Sequence, residues 1–134
     1  MKIHTLHSWK RYLSKSDFKK LLHYVENAKN GLVNKKMLMF SGSGKNGKTT
    51  LLNEILFYVN MEKCYEYDIS EDDFFDNIDK KNIIIHGGVE KVNKDLIQDM
   101  LENDMNIFCD TSFLDFVDPD ILPQTTIINM KHVF

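Results

Sequence analysis

The chain has 134 residues, 43% of them hydrophobic and 28% charged, with a net charge of −3. This length and composition suit one domain with a real core, and the mildly acidic balance excludes a protein that coats nucleic acid by overall positive charge. The two cysteines have no metal-ligand spacing, and no stretch approaches the length of a membrane span. Met1-Lys2-Ile3-His4 lacks the apolar core of a signal peptide, so a soluble, intracellular protein is expected.

In chain order, residues 7–15 carry Trp9, Tyr12 and Leu13 and predict a short helix that Ser8 could cap. Ser16-Asp17 reads as a second helix start; Phe18, Leu21, Leu22 and Val25 form its apolar stripe, and Gly31 is its stop. Lys10, Arg11, Lys15, Lys19 and Lys20 make this the most basic part of the chain. It reads either as a contact for DNA backbone or as a solvated helix face with acids interspersed. Met37 to Phe40 is an apolar run that predicts a buried strand.

The next stretch carries the chemistry. Gly42-Ser43-Gly44-Lys45-Asn46-Gly47-Lys48-Thr49 is a complete G-x-x-x-x-G-K-[ST] phosphate loop, and Thr50 stands beside it. Its glycines let the backbone approach a ligand. Its N–H groups, with the positive end of the helix that begins near Lys48, converge on an anion. Lys48 would hold the β- and γ-phosphates of ATP, and Thr49 would place its hydroxyl on Mg²⁺. Leu51, Leu52, Ile55, Leu56 and Val59 then recur at helical spacing.

Cys64 to Ile69 alternates like a strand, and Ser70 reads as the cap of an acidic-starting helix over 71–78. Asn82 to His86 predicts a third strand ended by Gly87-Gly88, and Asn93 a cap for a helix with Leu96, Ile97, Met100 and Leu101. Asn106 to Cys109 predicts a fourth strand closed by Asp110-Thr111-Ser112. A loop with Pro119 and Pro123 leads to a fifth strand at 125–130. Cys64 and Cys109 both fall in predicted strands, where buried, reduced thiols are expected.

A phosphate-loop enzyme needs a carboxylate for Mg²⁺ and usually a second to activate water. The third strand ends in His86-Gly87-Gly88 with no acid, and Glu90 lies two residues beyond. Glu90 reads as a displaced catalytic acid or as an exposed loop carboxylate. Asp110 reads as a Mg²⁺ ligand at a strand end, where ligands collect in open α/β sheets, or as a turn cap for Thr111-Ser112-Phe113. Thr111 and Ser112 are candidates to sense the γ-phosphate. His86 reads as a packed, hydrogen-bonded histidine or as a general base. No arginine follows Arg11, so this part of the chain offers a neighbour no arginine finger; Lys131 is the nearest substitute and lacks the planar fork.

The loop ending in Asn46-Gly47-Lys48-Thr49 resembles that of superfamily 3 helicases, the replicative ATPases of small DNA viruses and the helicase half of poxvirus-type primase-helicases. The similarity runs over about Met37 to Met130 in strand order and spacing. Gly42 to Thr49 match the Walker A motif, and Ile83 to His86 match the hydrophobic part of Walker B, whose two acids fall on Gly87 and Gly88. Ile107 to Ser112 match the sensor strand, with its asparagine falling on Ser112, and the family's later arginine falls near Gln124-Thr125. The short segment between the Walker B and sensor strands has no room for the long DNA-binding hairpin of larger members.

Strands alternating with helices predict an α/β fold. With the phosphate loop this is a P-loop NTPase three-layer sandwich, a mostly parallel five-stranded sheet with helices on both faces. The expected organisation is an N-terminal helical segment, 1–34, packed on a P-loop ATPase domain, 35–134. The resemblance implies an ATP-binding, helicase-like module of viral or mobile-element DNA replication. It would use ATP and Mg²⁺, with single-stranded DNA and a homo-oligomeric ring as partners, in the host nucleus or cytoplasm. Alternatives are a non-hydrolysing nucleotide-binding interaction module and a small P-loop kinase.

Overall fold

A computed structural model describes residues 5–42, 47–67 and 81–131. Five strands form one sheet in the order β2-β3-β4-β1-β5. They are β1 (Met37–Ser41), β2 (Cys64–Tyr67), β3 (Asn82–Ile85), β4 (Asn106–Thr111) and β5 (Thr125–Asn129). Every neighbouring pair is parallel, with Leu38 opposite both Phe108 and Thr126. The helices are α1 (Thr5–Ser8), α2 (Lys15–Lys29), α3 (Lys48–Val59) and α4 (Lys94–Glu102).

The apolar runs are long because both faces of the sheet are covered. All five residues of β1 are buried. Alternate side chains go to opposite sides. Leu38, Phe40, Ile84, Phe108 and Ile128 pack under α2 and α3, together with Leu6, Trp9, Leu13, Leu21, Leu51, Leu52 and Ile55. Met37, Met39, Ile83, Ile85, Ile107 and Cys109 pack under Ile97, Met100 and Leu101 of α4. Each fully buried side chain of this size contributes about 1.5–3 kcal/mol. Both cysteines are buried thiols outside any disulfide.

The N-terminal elements depart locally from the expectation. Ser8 sits inside a helical turn that runs from α1 into a 3-10 turn, Trp9–Arg11, and makes no side-chain cap bond there. The second helix starts two residues earlier than Ser16: Ser14 is its cap, and its Oγ accepts from the Asp17 N–H at 3.0 Å. Asp17 is therefore free to accept from the Asn129 N–H at 3.2 Å, which ties α2 to the outer strand β5. Trp9 Nε1 donates to Glu54 Oε1 at 2.7 Å and fastens this segment to α3. Lys10, Arg11, Lys15, Lys19 and Lys20 are all exposed.

Tyr24 of α2 finishes the sheet at its lower end. Its hydroxyl accepts from the Ile107 N–H at 3.0 Å and lies 2.5 Å from Lys36 O and 3.1 Å from Ile107 O, its two possible acceptors. Burial pushes the phenol well above its ordinary pKa.

β2 is described to Tyr67, and the predicted Ser70 cap and the helix over 71–78 lie outside the described residues. Asn93 caps α4 as expected, its Oδ1 accepting from the Asp95 N–H at 2.7 Å. β4 runs on to Thr111, so Asp110 and Thr111 belong to the strand rather than to a closing turn. Two 3-10 turns, Leu114–Phe116 and Leu122–Gln124, carry the chain from β4 to β5. Among the described residues no helix is long and apolar enough to cross a membrane.

Candidate functional site

The connection leaving β1 runs through α3 on one face, while Val117 and Ile121 of the connection leaving β4 pack on the α4 face. The two chains part above adjacent strands. That opens a crevice at the C-terminal ends of β1 and β4, the place where open α/β sheets bind ligands. The crevice measures about 590 Å³ and is lined by Lys48, Thr49, Gly87, Gly88, Glu90, Lys91, Asp110, Ser112, Phe113 and Phe116. Clefts of about 600 and 620 Å³ lie beyond the 89–91 turn and at the opposite end of the sheet. Neither is lined by Lys48 or Asp110.

The phosphate-loop end is anchored at both sides of the segment 43–46, which lies outside the described residues with Ser43, Gly44, Lys45 and Asn46. Before it, the Gly42 N–H donates to Thr111 O at 3.2 Å, and the Met130 N–H donates to Ser41 O at 2.7 Å. After it, Gly47 begins α3 with φ +83°, a left-handed conformation that glycine adopts without a Cβ penalty. Lys48 is buried, and its Nζ donates to Gly42 O at 2.5 Å. Thr49 and Thr50 are exposed on the first turn of α3, and only Thr49 lines the crevice.

The opposite wall comes from β3, β4 and the turn after β3. Asp110 is 6% exposed, and its Oδ1 accepts from the Gly88 N–H at 3.0 Å. Burial pushes its carboxyl above the usual aspartate value, against the opposing pull of the Gly88 N–H, Lys48 and His86. The turn cap at 111–113 is supplied by Thr111, whose Oγ1 accepts from the Phe113 N–H at 3.3 Å. Asp110 instead anchors the turn at Gly88.

Glu90 is no exposed loop carboxylate. It sits half-buried in a 3-10 turn, Val89–Lys91, and its Oε1 accepts from Thr111 Oγ1 at 2.6 Å. A Cβ at Gly88 would lie 2.6 Å from Glu90 Oε2. The glutamate carboxylate thus fills the volume that a side chain at position 88 would enter.

His86 pairs with Glu66 of β2, Nε2 to Oε1 at 3.1 Å, which is the hydrogen-bonded alternative expected for it. Ser112 is exposed and lines the crevice, whereas Thr111 is fully buried and committed to Glu90. Gln124 holds Gln98 of α4, Nε2 to Oε1 at 2.8 Å. Lys131 is exposed.

Two features of the wall were not anticipated. Thr111 binds a carboxylate, and Phe113 and Phe116 meet edge-on at 5.5 Å while remaining 55% and 68% exposed at the mouth. The glycine pair followed two residues later by an acid was the available signal for the first; no periodicity marks the second.

No three His, Cys, Asp or Glu side chains gather into a metal-binding set among the described residues. A protein cage is not what Mg²⁺ requires. It usually keeps several waters and takes one or two carboxylates plus substrate phosphates. The Thr49 hydroxyl and the Asp110 carboxylate on facing walls fit that donor set.

No protein-family profile and no curated protein matches the chain. Solved structures do. A variant of Thermotoga maritima RuvB aligns with a TM-score of 0.69 at 15% identity, over 92% of this chain and 48% of that one. C. elegans PCH-2 aligns with a TM-score of 0.63 at 14% identity, over 98% of this chain and 48% of that one. Hsp104, in its closed state with ATPγS and casein, aligns with a TM-score of 0.59 at 14% identity, over 96% of this chain and 33% of that one. The chain spans about half the length of RuvB and PCH-2. The neighbours are P-loop ATPases, and with the five-stranded parallel sheet they establish that this chain has a P-loop NTPase fold.

Proposed function

We propose that this chain binds and hydrolyses ATP in the crevice between β1 and β4. The observation that carries the reading is that Lys48, Asp110 and Glu90 reach one crevice from three separate elements, next to the phosphate-loop motif. Gly42 to Thr49 would cradle the phosphates, with Lys48 on the β- and γ-phosphates. Lys48 now donates to Gly42 O, so nucleotide binding exchanges that bond for a phosphate oxygen. Thr49 and Asp110 would hold Mg²⁺, which supplies charge neutralisation on the phosphates when bound.

Glu90 would orient the attacking water and take its proton. The water oxygen forms its bond to the γ-phosphorus as the bond from that phosphorus to the β-bridging oxygen breaks. ADP and inorganic phosphate leave. Ser112 lines the crevice and would donate a hydrogen bond to the γ-phosphate.

The finer reading is a superfamily 3 helicase-like motor of viral or mobile-element DNA replication, working on single-stranded DNA as a homo-oligomeric ring. It is supported by the resemblance of the loop around Asn46 to Thr49 and by the order of the five strands. RuvB of T. maritima, one of the structural neighbours, is a Holliday junction branch migration motor.

A second reading is a nucleotide-binding module without turnover. The absence of carboxylates at Gly87 and Gly88 favours it, because a missing group of that kind costs on the order of hundreds-fold in rate, while binding rests on loop N–H groups and Lys48.

The test is ATP turnover with Mg²⁺, with and without single-stranded DNA, with Lys48→Ala as the blank. The expected result is turnover that falls by on the order of a hundredfold or more in Lys48→Ala. ATP that raises the melting temperature without turnover selects the second reading. Absence of ATP binding refutes both.

A further inference from the structure

We propose that the acid of this crevice has been relocated: Glu90 acts from the place a side chain at position 88 would take, and Gly88 and Thr111 are the residues that put it there. The proposal rests on the hydrolytic reading above for what Glu90 does, and on geometry alone for where it sits.

Three contacts converge on this arrangement. A Cβ on Gly88 would lie 2.6 Å from Glu90 Oε2 and 3.0 Å from its Cδ, so the carboxylate, the mobile end of its side chain, would have to swing aside. The other carboxylate oxygen, Oε1, accepts from Thr111 Oγ1 at 2.6 Å, and Thr111 is fully buried in β4 beside Ser41. The turn that carries Glu90 is held from below, because the Gly88 N–H donates to buried Asp110. The 3-10 turn Val89–Lys91 then folds Glu90 back over Gly88. Glycine at 88 serves twice. It leaves the volume for the carboxylate, and it takes φ +106°, where a side chain is strained. Thr111 joins the two walls of the crevice: its carbonyl receives the Gly42 N–H at the foot of the phosphate loop, and its hydroxyl holds the acid.

In this arrangement Thr111 is a positioning residue. Its hydroxyl fixes where the carboxylate stands relative to the phosphate loop, without touching the nucleotide. A misplacement of about 1 Å at such a site costs about a hundredfold in rate.

Two experiments on the full chain test it. In the first, kcat and ATP affinity are measured for Thr111→Val, Thr111→Ser and Glu90→Gln. The expected result is a kcat loss of about tenfold to a hundredfold in Thr111→Val with ATP affinity kept, recovery in Thr111→Ser, and a loss at least as large in Glu90→Gln.

The second is a thermal-stability cycle between positions 88 and 90, read without nucleotide. Gly88→Ala carries backbone strain in any background. Only where Glu90 is present does it also meet the carboxylate. Swinging the carboxylate aside gives up its bond from Thr111, so the melting-temperature penalty should be larger in the Glu90 background than in Glu90→Ala. Equal penalties in both backgrounds overturn the placement, as does a Thr111→Val kcat within about twofold of the parent. A parent that binds ATP without turnover overturns the hydrolytic reading and with it the task given to Glu90. The cycle then reports on the placement alone, so the two failures are told apart.

Discussion

Replacing Tyr24 by phenylalanine isolates one hydroxyl. That hydroxyl takes the Ile107 N–H at 3.0 Å and has Ile107 O and Lys36 O as its acceptors, at the end of the ladder where β1 begins. A phenol has one proton to give, so it serves one of those carbonyls at a time. Phenylalanine keeps the ring, which meets Phe108 edge-on at 5.1 Å and 75°, and so keeps the packing. What is lost is the partner of a buried N–H, because Ile107 has no exposure at all. Leaving a buried donor unsatisfied costs about 1–3 kcal/mol. Lys36 O lies near the surface and can turn to water, adding little. The expected loss is therefore about 2 kcal/mol, or roughly 5–10 °C in Tm for a domain of this size. The assay is urea unfolding followed by far-UV circular dichroism, with an unchanged m-value as the check that the denatured state is the same. A loss below about 0.5 kcal/mol, the size of an ordinary surface change, would refute the reasoning. Tyr24→Leu should cost more, since it also removes an edge-on aromatic pair valued at about 0.5–1.5 kcal/mol.

Asp110→Asn changes the pH dependence of the ligand-free protein. The folded carboxyl is pushed above its ordinary value by burial, so the folded state holds the proton more tightly than the unfolded chain. The stability linked to this group is complete below about pH 4 and declines as pH rises through the folded value. Asparagine keeps an acceptor for the Gly88 N–H and carries no charge. Thermal melts from acid to neutral pH should show the parent losing stability relative to Asp110→Asn across that window, and parallel curves would contradict the assignment. Trp9→Phe removes the bond from Nε1 to Glu54 at 2.7 Å and some buried ring area. A hydrogen bond to a charged group is worth about 1.5–3 kcal/mol, so a loss of at least about 1.5 kcal/mol is expected in chemical denaturation. Glu54→Gln, which keeps an oxygen acceptor, should lose less.

The apolar runs of β1, β3 and β4 were legible because a sheet covered on both faces needs uninterrupted apolar sequence. The phosphate loop was legible because its glycines and Lys48-Thr49 are contiguous. The same locality explains what was misread. Ser8 and Ser16 have the right residue type for a cap, but the cap falls where the backbone leaves the helical region, and that is at Ser14, which is extended, while Ser8 is itself helical. Asp110 could be located at a strand end, yet its bond to Gly88 joins β4 to the turn after β3, whose proximity no spacing reveals. Glu90 was visible as an acid two residues late. Its return over Gly88 depends on one 3-10 turn and on a threonine from another strand. The edge of the crevice formed by Phe113 and Phe116 had no periodic signature, since both lie in an irregular crossover.

The placement of β1 at the fourth position of the sheet has a consequence for biosynthesis. Its two hydrogen-bonding neighbours are β4 and β5, the last two strands in the sequence. As the chain leaves the ribosome from its N-terminal end, β1 emerges early with both of its edges bare. It cannot complete its pairing on one side until residue 111 has been made, nor on the other until residue 129. An apolar strand with open edges is a template for association with other chains. The strand that carries the phosphate loop is therefore also the segment most in need of protection during synthesis, and slowing translation between β3 and β5 should lower the yield of soluble chain.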